Sequence, residues 1–208
     1  MGTISTMTTE GDVIFSDELN HASIVEGCKL SKADVQIYRH SDMASLEEKL
    51  YHCDPSKNKL IVTDGVFSMN GTVANLPEIK KLAERYDAMI MVDDAHGTGV
   101  LGETGRGTLE HFGLEGQIDI VSGTFSKALG AIGGVTCSNS DIVTFLKLQS
   151  RPFIFSASSP PSIAASVLAA LEVIEDEPHI LRNLRRNTDT VKQGLLDSGF
   201  MLEETITP

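Results

Sequence analysis

The chain has 208 residues, with 17 Lys and Arg against 29 Asp and Glu, for a formal net charge of -12. That balance excludes nucleic acid and anionic membrane as partners, because phosphate contacts need clustered cations, and Arg182, Arg185 and Arg186 read as the wet face of a helix. Three cysteines without a CxxC pair suggest neither a disulfide framework nor a zinc site, and no apolar run reaches membrane-spanning length, so a cytoplasmic protein is expected.

Residues 1–10 lack both a basic n-region and an apolar h-region and are expected to be disordered or truncated. Beyond them short β-branched runs alternate with helical patterns, the mark of an α/β fold with a mostly parallel sheet flanked by helices. Strands are predicted at 12–16, 35–40, 60–64, 89–93, 118–121, 134–137 and 153–156. Helices are predicted at 22–30, 44–51, 77–86, 141–149 and 162–174. The start of the third helix is marked by a capping Asn75 and by Pro77 in the first turn, with Ile79, Leu82 and Ala83 on one face. An acidic, proline-bearing break at 175–178 separates the helical run at 162–174 from a last amphipathic segment at 180–196. This divides the chain into a large domain over 11–178 and the start of a second domain over 179–208.

Strands buried on both faces are continuously apolar, as Leu60-Ile-Val62 and Met89-Ile-Met-Val92 are, and both runs end in acid at Asp64 and at Asp93-Asp94. Ligands bind at the carboxyl ends of strands in parallel α/β sheets. His21, Asp64, Ser68, Asp93, His96, Thr124 and Lys127 all lie just beyond such ends and are expected to converge. Lys127 is flanked by Phe125, Ala128 and a run of glycines. A lysine in such company either snorkels to water or loses part of its hydration, which is how lysine nucleophiles are prepared.

Gly97-Thr-Gly99-Val-Leu-Gly102 has the spacing of a dinucleotide-binding loop but opens into more glycine instead of a helix, so that reading fails. Asp93, Asp94 and His96 could form a carboxylate-rich metal site, but no further ligands lie nearby in sequence, and no metal is assigned. Asp93 and Lys127 on neighbouring strand ends form the pair that a pyridoxal 5'-phosphate (PLP) site requires: an acid for the pyridinium nitrogen and an amine for the aldehyde.

Five ordered segments then carry a more specific likeness: Asp17-Glu-Leu-Asn-His21-Ala-Ser23, Asp64-Gly-Val-Phe-Ser68-Met-Asn-Gly71, Val92-Asp-Asp-Ala-His-Gly-Thr-Gly99, Gly105-Arg-Gly107 and Gly123-Thr-Phe-Ser-Lys127. In order and spacing they resemble the α-oxoamine synthases, fold-type I PLP enzymes that condense an amino acid with an acyl-CoA. The resemblance implies a three-layer α/β/α large domain followed by a small C-terminal one, in a chain cut at both ends. It implies Lys127 as the Schiff-base lysine, Asp93 at the pyridine nitrogen, His21 stacked on the ring, and His96 with Ser68 at the phenolic oxygen. Thr124 would hold the phosphate, with Ser156 or Ser158 reaching the phosphate site of a neighbouring subunit in a homodimer. Asp64 stands where family members usually carry glutamate. An aminotransferase or lyase on the same fold, or a truncated subunit that acts only by pairing with a complete chain, are the alternatives.

Overall fold

The computed structural model describes residues 1–202 and 205–208. In chain order it runs α1 (Gly2–Met7), β1 (Val13–Asp17), α2 (Ala22–Leu30), β2 (Asp34–Tyr38), α3 (Met43–His52), β3 (Lys59–Asp64), α4 (Leu76–Tyr86) and β4 (Met89–Asp93). There follow α5 (Thr108–Phe112), β5 (Ile120–Thr124), β6 (Gly134–Ser138), α6 (Ser140–Gln149), α7 (Arg151–Ile154), α8 (Pro161–Asp176) and α9 (His179–Asp197). Among the described residues the strands form one sheet in the order β2-β1-β3-β4-β5-β6. All neighbours are parallel except β5 and β6, which form an antiparallel hairpin.

Side chains alternate across a strand, so every other residue of the sheet serves one of two cores. On one face Val13, Phe15, Ile61, Ile90 and Val92 pack against Leu46 and Leu50 of α3 and against Leu76, Ile79 and Leu82 of α4. On the other face Ile14, Leu60, Val62, Met91 and Ile120 pack against Ile4 of α1 and against Ile24 and Cys28 of α2. Helices therefore cover both faces, giving the three-layer arrangement expected from the alternating strand and helix patterns. Asn75 heads α4 by accepting from the Glu78 N–H at 3.4 Å, and Asp87 ends it in the left-handed region at φ 52°.

Two sequence expectations are corrected. Residues 2–7, for which disorder is one of the two expectations, are ordered as α1, whose Ile4 is fully buried against α2 and the sheet. Its Thr-rich sequence hides this, because a single inward isoleucine leaves no periodic signal. Residues 153–156, expected as a strand, instead lie in and after α7, where Pro152 occupies the first turn and Ser150 is the N-cap. Phe153-Ile-Phe155 is a short apolar run, and such runs do not distinguish strand from helix.

If both faces are true cores, Ile79→Ala on one and Ile24→Ala on the other should each cost about 2–5 kcal/mol in denaturant unfolding. A loss confined to one face would show that the other is only a covered surface.

Candidate active site

The lateral register of the sheet lines up the strand ends. Asp64 pairs with Asp93, Asp93 with Ser122, and Ser122 with Thr136, so these four side chains form one row across β3, β4, β5 and β6. Adjacent members of such a row stand about 4.8 Å apart. The row lies on the face that carries Met91 and Ile120 in its core, and it borders a cleft of about 650 Å³ lined by Asp93, Ser122, Gly123, Ser23, Thr136 and Ser156. Ser122 was not singled out from the sequence, although its parity with Ile120 on β5 was the available signal. Its Oγ is buried without a hydrogen-bond partner, a donor that a ligand in the cleft can satisfy.

Asp93 and Asp94 are adjacent in sequence but serve different neighbours. One Asp93 oxygen accepts from the Ala95 N–H at 3.1 Å, and the residue lines the cleft. Asp94 is 2% exposed and accepts from the Thr108 N–H at 2.8 Å and from the Thr108 hydroxyl. Burial pushes its pKa up, the two Thr108 hydrogen bonds oppose that, and Asp93 adds to it. A Cβ at Gly97 would stand 2.1 Å from one Asp94 oxygen, and one at Gly107 would stand 1.9 Å from the other. Gly65 is equally confined, at 2.5 Å. The glycines that mimic a dinucleotide loop therefore form a cage around a buried carboxylate. Gly99 continues the packing, because a Cβ there would come within 2.5 Å of Ala128, the residue after Lys127.

Lys127 sits at the tip of the β5–β6 hairpin, which is closed by Phe125 N–H to Gly133 O at 2.9 Å and Ala131 N–H to Phe125 O at 2.7 Å. Its side chain is exposed, so of the two outcomes open to a lysine among apolar neighbours it takes the one that reaches water; Phe125 beside it is half-buried and Ala128 exposed. Thr124 and Ser126 hold their hydroxyls 2.8 Å apart at the base of the same loop.

His21 is the N-cap of α2: its Nδ1 accepts from the Ser23 N–H at 3.2 Å and lies 2.8 Å from the Ser23 hydroxyl. Its own N–H donates to Asp64 Oδ2 at 2.6 Å. Asp64 is 5% exposed, and burial pushes its pKa up to about 7. The His21 N–H and Lys127 oppose the rise, while Asp93 and Asp17 add to it. His96, in the turn after β4, is held below the usual imidazole value by burial first, then by the positive charges of Lys127 and His21, against the pull of Asp93. Lys127 and Asp93 thus act on both Asp64 and His96, and His21 acts on His96.

The other expected residues are more scattered. Ser68 is exposed in the turn that the Phe67 N–H closes onto Thr72 O at 2.9 Å. Ser156 borders the cleft with its hydroxyl turned to Pro152 O at 2.6 Å, and Ser158 is exposed in the following segment. Behind this turn, and missed from the sequence, His40 bridges Asp17 at 2.9 Å and the Thr72 hydroxyl at 2.8 Å, fixing the loop that carries Ser68.

A family model described as aminotransferase class I and II matches residues 2–204. The 8-amino-7-oxononanoate synthase 1 of Bacillus velezensis is 48% identical over 207 residues, which are 100% of this chain and 53% of that protein. A serine palmitoyltransferase from Sphingobacterium spiritivorum is 48% identical over 208 residues, 100% of this chain and 52% of that protein. Among solved structures, a serine palmitoyltransferase from S. paucimobilis with a bound PLP–myriocin aldimine superposes with a TM-score of 0.93. Its identity is 38%, over 98% of this chain and 51% of that one. The fold is therefore that of these transferases, and the chain spans about half the length of the relatives it matches.

The cage around Asp94 yields a paired test. Gly107 and Gly113 both have positive φ, at 93° and 66°, but nothing lies within 4 Å of a Cβ at Gly113. Gly113→Ala should cost about 1 kcal/mol from backbone strain alone, and Gly107→Ala at least about 3 kcal/mol in thermal or denaturant unfolding. Equal losses would remove the cage as the reason for glycine.

Proposed function

Because the chain belongs to the aminotransferase class I and II family, we propose that it is the large-domain part of a PLP-dependent α-oxoamine synthase, condensing an amino acid with an acyl-CoA thioester. The observation that carries this is the row of Asp64, Asp93 and Ser122 at the carboxyl end of the sheet, beside the cleft floored by Ser122, with Lys127 on the hairpin that follows β5. Names of relatives at 48% identity, an 8-amino-7-oxononanoate synthase and a serine palmitoyltransferase, support the same reaction class. In this reading residues 11–178 are the cofactor-binding large domain, and 179–208 begin the small one.

The donor set fits the cofactor. Asp93 keeps one carboxylate oxygen free of the Ala95 contact to accept a pyridinium N–H, and the Lys127 amine is exposed and able to meet an aldehyde. The Thr124 and Ser126 hydroxyls, 2.8 Å apart at the neck of the lysine loop, suit a phosphate. When bound, PLP supplies an electron sink that acidifies the Cα–H of an attached amino acid. Lys127 would anchor the cofactor through its amine and, once free, would serve as the base at the amino acid's Cα. Asp93 would keep the ring nitrogen protonated. His21 would stack on the ring, and His96 with Ser68 would hold the phenolic oxygen. In the overall condensation the Cα–H and the acyl C–S bonds would break, a bond from Cα to the acyl carbon would form, and CoA would leave as the free thiol. Ser156 and Ser158 reach the phosphate of a neighbouring subunit, making the working form a homodimer, and we place it in the cytoplasm. No helix among the described residues is long and apolar enough to cross a membrane.

Titrating PLP into the protein should produce a visible absorption band that Lys127→Ala abolishes. Asp93→Asn should keep the band and lower turnover by about 100-fold or more, by removing the charge that stabilises the pyridinium. Turnover is read as CoA release with glycine, serine and alanine against short and long acyl-CoAs. A band that survives Lys127→Ala removes the lysine assignment, and absence of CoA release with every pair removes the acyltransfer reading.

A further inference from the structure

The turn that presents His21 is tied to the end of β3 by two side chains. Asn20 Nδ2 donates to Val62 O at 2.8 Å and to Ser16 Oγ at 2.9 Å, while its Oδ1 accepts from the Asp64 N–H at 2.8 Å. Asp64 returns the link by accepting from the His21 N–H at 2.6 Å. These contacts are reciprocal, those of Asn20 are buried and that of His21 partly so, and the position of His21 is set from β3 as well as from its own helix.

The other side of His21 is fixed as well. Its Nδ1 accepts the Ser23 N–H as the cap of α2, and a ring nitrogen that accepts a hydrogen bond carries no proton. In the neutral ring the hydrogen is therefore on Nε2, and Nε2 is the nitrogen left for other partners. Asp64 holds the backbone of this residue while Ser23 holds its ring. Asn20 cannot replace Asp64 in this, because both ends of its amide are already committed.

We propose that Asp64 is a positioning residue for His21, whose carboxylate grips the His21 backbone N–H and whose protonation loosens that grip and moves the imidazole relative to Asp93 and Lys127. This rests on the reading that His21 faces the cofactor. The groups that surround Asp64 are Asp17 from β1, His21 at the head of α2, Asp93 from β4 and Lys127 from the hairpin tip. His96 lies beyond, sharing the fields of Lys127, His21 and Asp93. With burial placing the Asp64 pKa at about 7, the ionised acceptor predominates above neutrality and the neutral carboxyl below it. Hydrogen bonds to an ionised acceptor are about twice as strong as those to a neutral one, so the grip tightens as pH rises through that value. The catalytic groups touch the cofactor; Asp64 acts only through His21.

The test follows the His21 amide by NMR in the cofactor-free protein. Across roughly pH 5 to 9, a range that brackets a carboxyl raised to neutrality, its proton resonance should move downfield with a midpoint near 7. Asp64→Asn keeps an acceptor of the same shape that cannot titrate, so the midpoint should vanish while the other core amides keep their positions. Asp64→Glu should restore a titrating midpoint, and Asp64→Ala should speed hydrogen exchange at the His21 amide by about tenfold or more, the loss of one charge-assisted hydrogen bond. A midpoint that persists in Asp64→Asn belongs to another group, such as His96, and overturns the proposal. So does a wild-type amide with no midpoint, or exchange unchanged in Asp64→Ala. No cofactor takes part in these readings, so their failure is distinct from failure of the PLP assignment, which the Lys127→Ala titration decides.

Discussion

A carboxylate buried without a counter-charge has to be satisfied by hydrogen bonds, and Asp94 imposes that requirement on everything around it. It sits at the end of β4 with its oxygens given to Thr108 at the head of α5, and its surroundings have room only for glycine at positions 65, 97 and 107. Those residues come from the end of β3, the turn after β4 and the loop before α5. One side chain thereby packs against three pieces of backbone, of which strand pairing joins only the ends of β3 and β4. With Asp94 turned to that task, its neighbour Asp93 is left facing the cleft, where a charge can be used.

The parallel sheet does the rest of the arranging. Register places Asp64, Asp93 and Ser122 in one row, and the alternation of side chains puts all three on the same face. Burial makes Asp64 costly to ionise, and the nearby Asp93 adds to that cost. Lys127 arrives from a different construction, a hairpin whose antiparallel partner returns at once and whose loop is closed by short-range hydrogen bonds. The site thus combines a rigid floor from distant parts of the chain with a lysine on a locally determined loop.

Much of this was legible in the residues. Continuous apolar runs such as Leu60-Ile-Val62 locate buried strands because both sheet faces are covered, and the acids that end them mark the ligand side. What the sequence could not show depended on partners far along the chain. Asp93 and Asp94 look alike until Thr108 claims one of them. Ser122 looks like any strand serine until register sets it beside Asp93. The exposure of Lys127 decides between the two outcomes its apolar neighbours left open, and it follows from the hairpin tip on which the residue stands. The α1 helix escaped notice for a related reason: its single buried Ile4 is meaningful only against the core formed by α2 and the sheet.

The glycine loop has one more attachment, at its far end, where the Arg185 guanidinium on α9 donates to Gly102 O. Leu181 of the same helix is also close, within 3.4 Å of a Cβ built at Gly105. At its near end the loop meets Ala128 at Gly99, one residue from the lysine. The glycine strap thus lies between α9 and the lysine hairpin and touches both, so the last long helix is two contacts away from the lysine although it contributes no side chain to the cleft.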